Sequence, residues 1–158
     1  MWAIIAFAKL GLGDKAVEYF RMINPIEHAR TKEAAKKYKV EPYVIPADVY
    51  GASNLIGRGG WTWYTGSSSW FLKAGLEDIL GLKIEEGFLK LEPCISSKWD
   101  EYSIRYRYKD TVYNIKVKNP EGRCTGENQK FYLNGEEIEE KKIKLEDNKA
   151  INEIEVIL

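Results

Sequence analysis

The residues best suited to chemistry lie in one stretch, residues 57–70, which holds four glycines, three of the five tryptophans and a run of hydroxyl side chains. Because glycine has no Cβ, the backbone here can turn tightly or approach a ligand closely. The Thr-Gly-Ser-Ser-Ser run at 65–69 lies where a helix is predicted to begin, and helix N-termini bind anions through free N–H groups and a partial positive charge. Neighbouring Trp and Tyr rings have flat apolar faces and polar edges, which suit a sugar ring. The stretch therefore predicts a pocket for an anion and a sugar.

A second interpretation of the same stretch needs no ligand. A glycine loop followed by a capped helix, with the tryptophans in the core, has the same composition. The same two interpretations apply to individual residues. The hydroxyl run would either contact phosphate or cap the helix, and the aromatic rings would either contact sugar or pack in the core. Glu41 would accept hydrogen bonds either from sugar hydroxyls or from loop N–H groups. Six residues are candidates for substrate binding: Thr65, Gly66, Ser67, Tyr64, Trp63 and Glu41.

Composition narrows the class of protein. The 24 Lys and Arg residues balance 24 Asp and Glu residues, which argues against a dedicated nucleic-acid binder or a membrane-surface protein. Cys94 and Cys124 lack the spacing of a zinc site, and we expect them to be reduced and structural, as in a cytoplasmic protein. The apolar start of the chain is too short to span a bilayer. The sequence predicts no metal, no cofactor and no membrane segment.

The first half of the chain has helical periodicity. We expect a buried helix over 2–10, a second helix over 15–23 capped by Asp14, and a third over 31–38 capped by Thr31. Residues 39–54 predict an extended, irregular and mostly buried segment. A further helix is predicted over about 67–80, ending at Gly81.

After Gly87 the pattern changes to alternation, which is typical of strands. Strands are predicted around 102–108, 113–117, 131–133 and 154–158, with a chain turn at Asp110-Thr111 and a tight hairpin at Asn134-Gly135. The sequence thus predicts an α+β protein with a helical part, residues 1–86, and a small antiparallel β domain, residues 87–158.

Several short motifs, taken in order, resemble the C-terminal part of the inverting glycoside phosphorylases of glycoside hydrolase family 94. That family includes cellobiose and chitobiose phosphorylases and the C-terminal region of cyclic β-1,2-glucan synthase. The resemblance covers roughly residues 1–120, and the motifs are Asn24-Pro25-Ile26-Glu27-His28-Ala29-Arg30-Thr31, Glu41-Pro42-Tyr43-Val44, Ala47-Asp48-Val49-Tyr50, the stretch 57–70, Ile79-Leu80-Gly81-Leu82 and Pro93-Cys94-Ile95.

The resemblance implies a fold and a reaction. Residues 1–86 would be the last helices of an (α/α)₆ barrel, and residues 87–158 a C-terminal β-sandwich domain. Members of the family cleave a β-glucosidic bond with inorganic phosphate as co-substrate, giving α-glucose 1-phosphate, with an Asp as general acid. Thr65-Gly66 matches the Thr-Gly pair of the family's phosphate pocket, with Ser67 beside it.

The resemblance also implies that important groups lie outside this chain. The Asp general acid and the phosphate-binding Arg belong to earlier barrel segments, and the phosphate-binding His falls just before Trp2. His28, the only histidine, matches a different position, so no catalytic residue is assigned. We therefore expect a C-terminal portion of a phosphorylase that supplies part of the phosphate and sugar site and is inactive alone.

Two other functions stay open on the sequence. In one of them the chain would be a non-catalytic carbohydrate-binding or scaffold module. In the other it would be one half of a split enzyme. The expected partners are a β-glucan oligosaccharide, phosphate and the rest of the barrel, in cis or in trans. The apolar face of residues 2–10 would then be an interface, and it could also bring copies of the chain together as a homo-oligomer.

Overall fold

The computed structural model describes residues 1–158, and five α-helices precede most of the sheet strands. The helices are α1 Trp2–Lys9, α2 Gly13–Ile23, α3 Pro25–His28, α4 Lys32–Tyr38 and α5 Thr65–Lys73, and a π-helical segment, Ala74–Ile79, continues α5. None of them is both long and apolar enough to cross a bilayer.

The structure confirms one of the two predicted helix caps and contradicts the other. Thr31 caps α4 as predicted, because its Oγ1 accepts from the N–H of Ala34 at 3.1 Å. The prediction that Asp14 caps α2 is wrong. Leu12 occupies the N-cap position, and the Asp14 carboxylate accepts hydrogen bonds from Ser96 and Ser97 instead.

Helix α1 packs against α2 and the π-helical segment on one side only. Ile4 and Ala8 are buried on that side, whereas Trp2 is 79% exposed and Leu10 is 72% exposed. The prediction of a fully buried helix is therefore wrong for this chain, because nothing in residues 1–158 covers its other face. That face is an exposed apolar surface.

Residues 39–54 are irregular, as predicted, but less buried than predicted, and the irregular connection continues to residue 64. The connection is anchored by a small cluster of Tyr38, Val40 and Val44 and by a short pairing between β1, Asp48–Val49, and β2, Gly59–Gly60. Tyr43 and Asp48 are exposed, because their side chains lie on the solvent side of this connection.

Two further sheets follow, and their strands are mainly antiparallel. One has the order β3 Leu82–Glu85, β4 Phe88–Leu91 and β9 Lys142–Lys144; the other has the order β5 Glu101–Tyr108, β6 Thr111–Lys118, β10 Ile151–Ile157, β7 Lys130–Leu133 and β8 Glu136–Ile138. The predicted antiparallel pairing is confirmed for most strand pairs, with one exception: β10 enters between β6 and β7 and runs parallel to β6.

Local strand predictions fare better. The alternation along β5 is confirmed, with one face half-buried and the other exposed. The hairpin at Asn134-Gly135 is confirmed, since both residues have positive φ, 51° and 87°. The first turn differs by one residue: Lys109 and Asp110 form it, and Thr111 already belongs to β6.

A core of 20 buried residues draws on α1, α2, the π-helical segment and both larger sheets. Leu89, Leu91, Val117 and Val156 lie at its centre with no exposed surface. The predicted boundary between residues 86 and 87 falls in the turn between β3 and β4. The structure is thus a small α+β protein, and its division into barrel helices and a β-sandwich domain stays a prediction.

Candidate functional site

The N-terminus of α5 carries three candidate residues side by side. Tyr64 occupies the N-cap position in an extended conformation, and no side chain caps the helix. The N–H groups of Thr65, Gly66 and Ser67 make no hydrogen bond within the chain, whereas Ser68 N–H donates to the Tyr64 carbonyl at 3.2 Å. Unpaired N–H groups at a helix start are the donors that an anion accepts from.

The hydroxyl run of residues 65–69 divides into two groups. Ser68 and Ser69 donate back to the Thr65 carbonyl, each at 3.0 Å, so their hydroxyls are occupied within the helix. The hydroxyls of Thr65 and Ser67 make no such bond. Helix α5 buries none of its residues, so this end of the helix is open to a ligand.

Aromatic residues occupy the loop that leads directly into this helix start. Trp61 is 75% exposed and Trp63 is 62% exposed, so the alternative that placed them in a core is wrong for this chain. The Trp61 and Tyr64 rings lie 5.5 Å apart, and the Trp63 and Tyr43 rings meet edge to face at 6.0 Å. Such rings present the flat apolar faces that sugar rings stack on.

Both tryptophans have an unusual backbone. The φ angles are 52° at Trp61 and 61° at Trp63, in the left-handed region that non-glycine residues seldom adopt. Strained conformations of this kind cluster at binding sites, where neighbouring contacts hold them. Here the strain turns two large rings outward beside the free N–H groups of α5.

Glu41 is one of the contacts that hold this loop. Its Oε1 accepts a hydrogen bond from Trp63 Nε1 at 3.2 Å, and its side chain is half-buried. Tyr43, two residues along the same extended segment, contacts the same indole ring. Glu41 thus positions Trp63, a contact that differs from both of the roles predicted for it.

Glycine brings the rest of the loop close to its neighbours. Gly60 is buried against β1, and a Cβ there would lie 2.3 Å from the Tyr50 hydroxyl and 2.8 Å from an Asp48 carboxylate oxygen. The carbonyls of Gly60 and Trp61 both accept from the Ala47 N–H. A larger residue at position 60 would therefore require the Tyr50 and Asp48 side chains to move.

Tyr43 is a residue of this site that the sequence-based prediction missed. Its spacing was an available signal, because residues i and i+2 of an extended segment lie on the same side, and Glu41 was already a candidate. The geometry brings Glu41, Trp63, Tyr64 and the start of α5 into one surface region. Arg58 is exposed on the same loop.

His28 lies in a structural setting. Its Nε2 lies 2.6 Å from the Met22 carbonyl oxygen, and its ring stacks on Tyr38 at 4.7 Å. No group of three or more His, Cys, Asp or Glu side chains lies close enough together to hold a metal ion.

Comparisons with known proteins agree with the resemblance. A family model described as the glycosyl hydrolase 94 superfamily, catalytic domain, matches residues 1–81. The chain is 45% identical over 116 residues to cyclic beta-(1,2)-glucan synthase NdvB of Rhizobium meliloti, a match that covers 73% of this chain and 4% of that protein. It is 32% identical over 139 residues to N,N'-diacetylchitobiose phosphorylase of Vibrio furnissii, covering 87% of this chain and 17% of that protein.

A third relative is the solabiose phosphorylase of Paenibacillus borealis, which is 25% identical over 136 residues, covering 85% of this chain and 17% of that protein. The chain therefore spans only 4% to 17% of the length of these curated relatives. The family model covers half of the chain, and the relatives that match beyond it are phosphorylases and a glucan synthase. This chain belongs to the glycosyl hydrolase 94 superfamily.

Proposed function

We propose that this chain is the C-terminal portion of a carbohydrate phosphorylase or related glycosyltransferase, and that it supplies one wall of the phosphate and sugar site. The observation that carries the proposal is the uncapped start of α5, with free N–H groups at Thr65, Gly66 and Ser67 beside exposed aromatic rings. Family membership and the names of the relatives support the same reaction class.

The proposed reaction is phosphorolysis of a β-glucoside. A phosphate oxygen attacks the anomeric carbon and forms a new C–O bond, while the glycosidic C–O bond on the opposite face breaks. The departing sugar oxygen takes a proton from a general acid, and the glucosyl group leaves as α-glucose 1-phosphate. Inverting glycoside hydrolysis with two carboxyl groups differs only in that water, activated by a base, replaces phosphate.

In this proposal the groups of the chain divide between the two substrates. The N–H groups and hydroxyls at the start of α5 hold phosphate, since the helix N-terminus favours negative charge. Trp63 and Tyr64 contact the sugar, and Glu41 fixes the Trp63 indole that does so. The general acid comes from another part of the barrel, so we expect the chain to be inactive alone.

A pair of measurements tests the proposal. Titration of the purified chain with a β-linked gluco-oligosaccharide, with and without inorganic phosphate, should show that phosphate strengthens sugar binding, and Thr65→Ala should weaken this coupling. An assay for glucose 1-phosphate should detect none from the chain alone. Product formed from β-glucan and phosphate by the chain alone would contradict the expected inactivity.

A second candidate function is carbohydrate binding without chemistry. The observation that favours it is the exposure of Tyr43, Trp61 and Trp63 on the irregular connection that leads into α5. This function predicts oligosaccharide binding that is indifferent to phosphate and unaffected by Thr65→Ala. The same titrations therefore separate the two functions, and complementation of activity by a second chain would identify a split enzyme.

A further inference from the structure

Strand β5 forms one edge of the five-stranded sheet, with β6 as its only neighbour. It is eight residues long, as long as β6 and longer than any other strand of that sheet. A long edge strand presents a row of unpaired N–H and C=O groups that can pair with another strand.

The hydrogen bonds of β6 show which groups of β5 are unpaired. The Val112 N–H donates to the Ala150 carbonyl and the Lys118 carbonyl accepts from Leu158, each at 3.0 Å, so the even-numbered residues of β6 face β10. The odd-numbered residues of β6 therefore face β5, where they lie opposite the even-numbered residues of β5. The N–H and C=O groups that point to the open edge belong to Glu101, Ser103, Arg105 and Arg107.

The side chains of these same four residues are exposed on the outer face of the sheet. Glu101 is near one end of the strand and Arg107 is near the other, so the strand carries opposite charges at its two ends. If β5 of a second copy lay antiparallel beside it, the Glu101 end of each strand would lie next to the Arg107 end of the other. We propose that β5 pairs with β5 of a second copy of this chain, antiparallel about a two-fold axis at Ile104.

This register follows from charge and hydrogen bonding together. With Ile104 opposite Ile104 of the second copy, Glu101 lies opposite Arg107 and Ser103 lies opposite Arg105. All of these are residues with outward N–H and C=O groups, so the two strands would exchange about eight backbone hydrogen bonds. Opposite charges directly across a strand pair favour the pairing.

The neighbouring registers are poorer. A shift that centres the axis on Arg105 places that guanidinium opposite its own copy, and like charges directly opposite are destabilising. A shift that centres the axis on Ser103 leaves Arg107 beyond the paired segment. A shift by a single residue would pair outward groups with inward ones and lose the hydrogen bonds.

The inner face of β5 also gains from this partner. Tyr102, Ile104, Tyr106 and Tyr108 pack on the core but stay half-exposed, whereas Tyr113 and Ile115 on β6 are almost fully buried. In the proposed pair Tyr102 lies opposite Tyr106 of the second copy. Cross-strand aromatic pairs of this kind stabilise sheets.

The existing contacts of the charged residues leave them able to pair. Glu101 accepts from Lys116 through Oε2 at 2.9 Å, which leaves its second carboxylate oxygen free. Arg107 donates to the Lys109 carbonyl through Nε, at 2.9 Å, and its Nη2 lies 3.6 Å from the Asp110 carboxylate. Both groups are exposed, and a guanidinium has five donors in all, so donors remain for Glu101 of the second copy. Arg105 forms no ion pair within the chain.

Sedimentation of the full chain over a range of concentrations tests the proposal. The unmodified chain should show a monomer–dimer equilibrium. Arg107→Glu and Glu101→Arg should each raise the dimer dissociation constant by about tenfold or more, because each places like charges across both ends of the pair. An equimolar mixture of the two variants should dimerise again, since each Glu then meets an Arg of the other chain.

The controls address folding and other contact surfaces. Glu137→Arg reverses a charge on β8, the opposite edge of the sheet, and should leave the dissociation constant unchanged. Circular dichroism should show that each variant is folded. A monomeric unmodified chain, a dimer unaffected by both charge reversals, or a mixture that fails to dimerise would each overturn the proposal. Dimerisation lost in Trp2→Glu but kept in Arg107→Glu would assign the contact to α1 and would also overturn it.

Discussion

The indole Nε1 of Trp63 donates a hydrogen bond to Glu41 Oε1 at 3.2 Å, and this bond joins two loop segments 22 residues apart in sequence. Trp63 has a φ of 61°, so its outward orientation depends on contacts of this kind. Tyr43 contacts the ring from a second direction. The pair links the Glu-Pro-Tyr segment to the loop that leads into α5.

The first prediction concerns this pair. Glu41→Ala should weaken binding of a β-linked gluco-oligosaccharide about fivefold, because loss of one such hydrogen bond costs about 1 kcal/mol. Glu41→Gln keeps an acceptor oxygen and should stay close to the unmodified chain. Tryptophan fluorescence during a sugar titration measures both. An equal loss in both variants would instead indicate that the carboxylate charge itself contacts the sugar.

The second prediction separates the backbone of α5 from its hydroxyls. Thr65→Pro removes an N–H group at the first helical position, where proline is tolerated, and Tyr64 before it is already extended. We expect Thr65→Pro to weaken phosphate binding about tenfold, since hydrogen bonds to charged groups contribute about 1.5–3 kcal/mol. Thr65→Ala keeps the N–H group and should lose less. Calorimetric titration with inorganic phosphate compares them.

Ser69→Ala is the matched control for that comparison. The Ser69 hydroxyl donates to the Thr65 carbonyl inside the helix and is not free for a ligand. Phosphate affinity should therefore stay unchanged in this variant. Equal affinity of Thr65→Pro and Thr65→Ala would show that the hydroxyl, and not the helix start, binds the anion.

The parts of the fold that the sequence predicted well are those fixed by neighbours along the chain. The Thr31 cap, the alternation along β5 and the Asn134-Gly135 hairpin all depend on residues a few positions apart. Pairings between distant segments were not predictable in this way. The place of β10 between β6 and β7 depends on which strand covers the open side of β6, and local alternation does not encode that.

The same distinction between local and distant contacts applies to the candidate site. The start of α5 was found from its hydroxyl run, although the helix begins two residues earlier than predicted. Asp14 was misassigned, because a good N-cap residue at a helix start gives no sign of partners 82 residues away. The exposure of Trp61 and Trp63 could not be predicted from the sequence either, since tryptophan at alternate positions fits a core equally well.

The third prediction concerns the two cysteines. Burial raises the pKa of the Cys94 thiol to about 11, so almost none of it is thiolate near neutral pH. Cys124 is only half-buried. A thiol reagent at a pH of about 7.5 should therefore modify Cys124 first, and mass spectrometry of the digested chain should find the label on its peptide. Faster labelling of Cys94 would mean that the core around it opens readily.

The fourth prediction concerns the packing of α2 against the segment after β4. A Cβ at position 13 would lie 1.9 Å from the Ile95 carbonyl oxygen, which is backbone and cannot move aside as a side chain can. Gly13→Ala should lower the free energy of unfolding by about 2 kcal/mol or more, through overpacking. Gly51→Ala is the control, because a Cβ there meets nothing within 4 Å. Urea denaturation monitored by fluorescence compares the two, and equal stability would contradict this packing.

The last prediction concerns pH and the contact between α2 and the same segment. The Ser96 hydroxyl, then Ser97 through its hydroxyl and N–H, donate to the Asp14 carboxylate at 2.7–3.0 Å, and these bonds lower its pKa below the usual 3.8. A carboxyl whose pKa is lower in the folded state stabilises the fold above its unfolded pKa, and that stability is lost as the pH falls towards the folded value.

The contribution of Asp14 is therefore fully present at about pH 6 and decreases below about pH 4. Because the carboxylate is largely exposed, we expect Asp14→Asn to cost only about 1 kcal/mol at about pH 6. The difference between the unmodified chain and Asp14→Asn should shrink at about pH 3, as urea denaturation at both pH values would measure. Ser97→Ala removes one donor to the Asp14 carboxylate and should partly reduce the pH dependence of the free energy of unfolding. A difference that stays constant between the two pH values would show that the charge of Asp14 does not stabilise this contact.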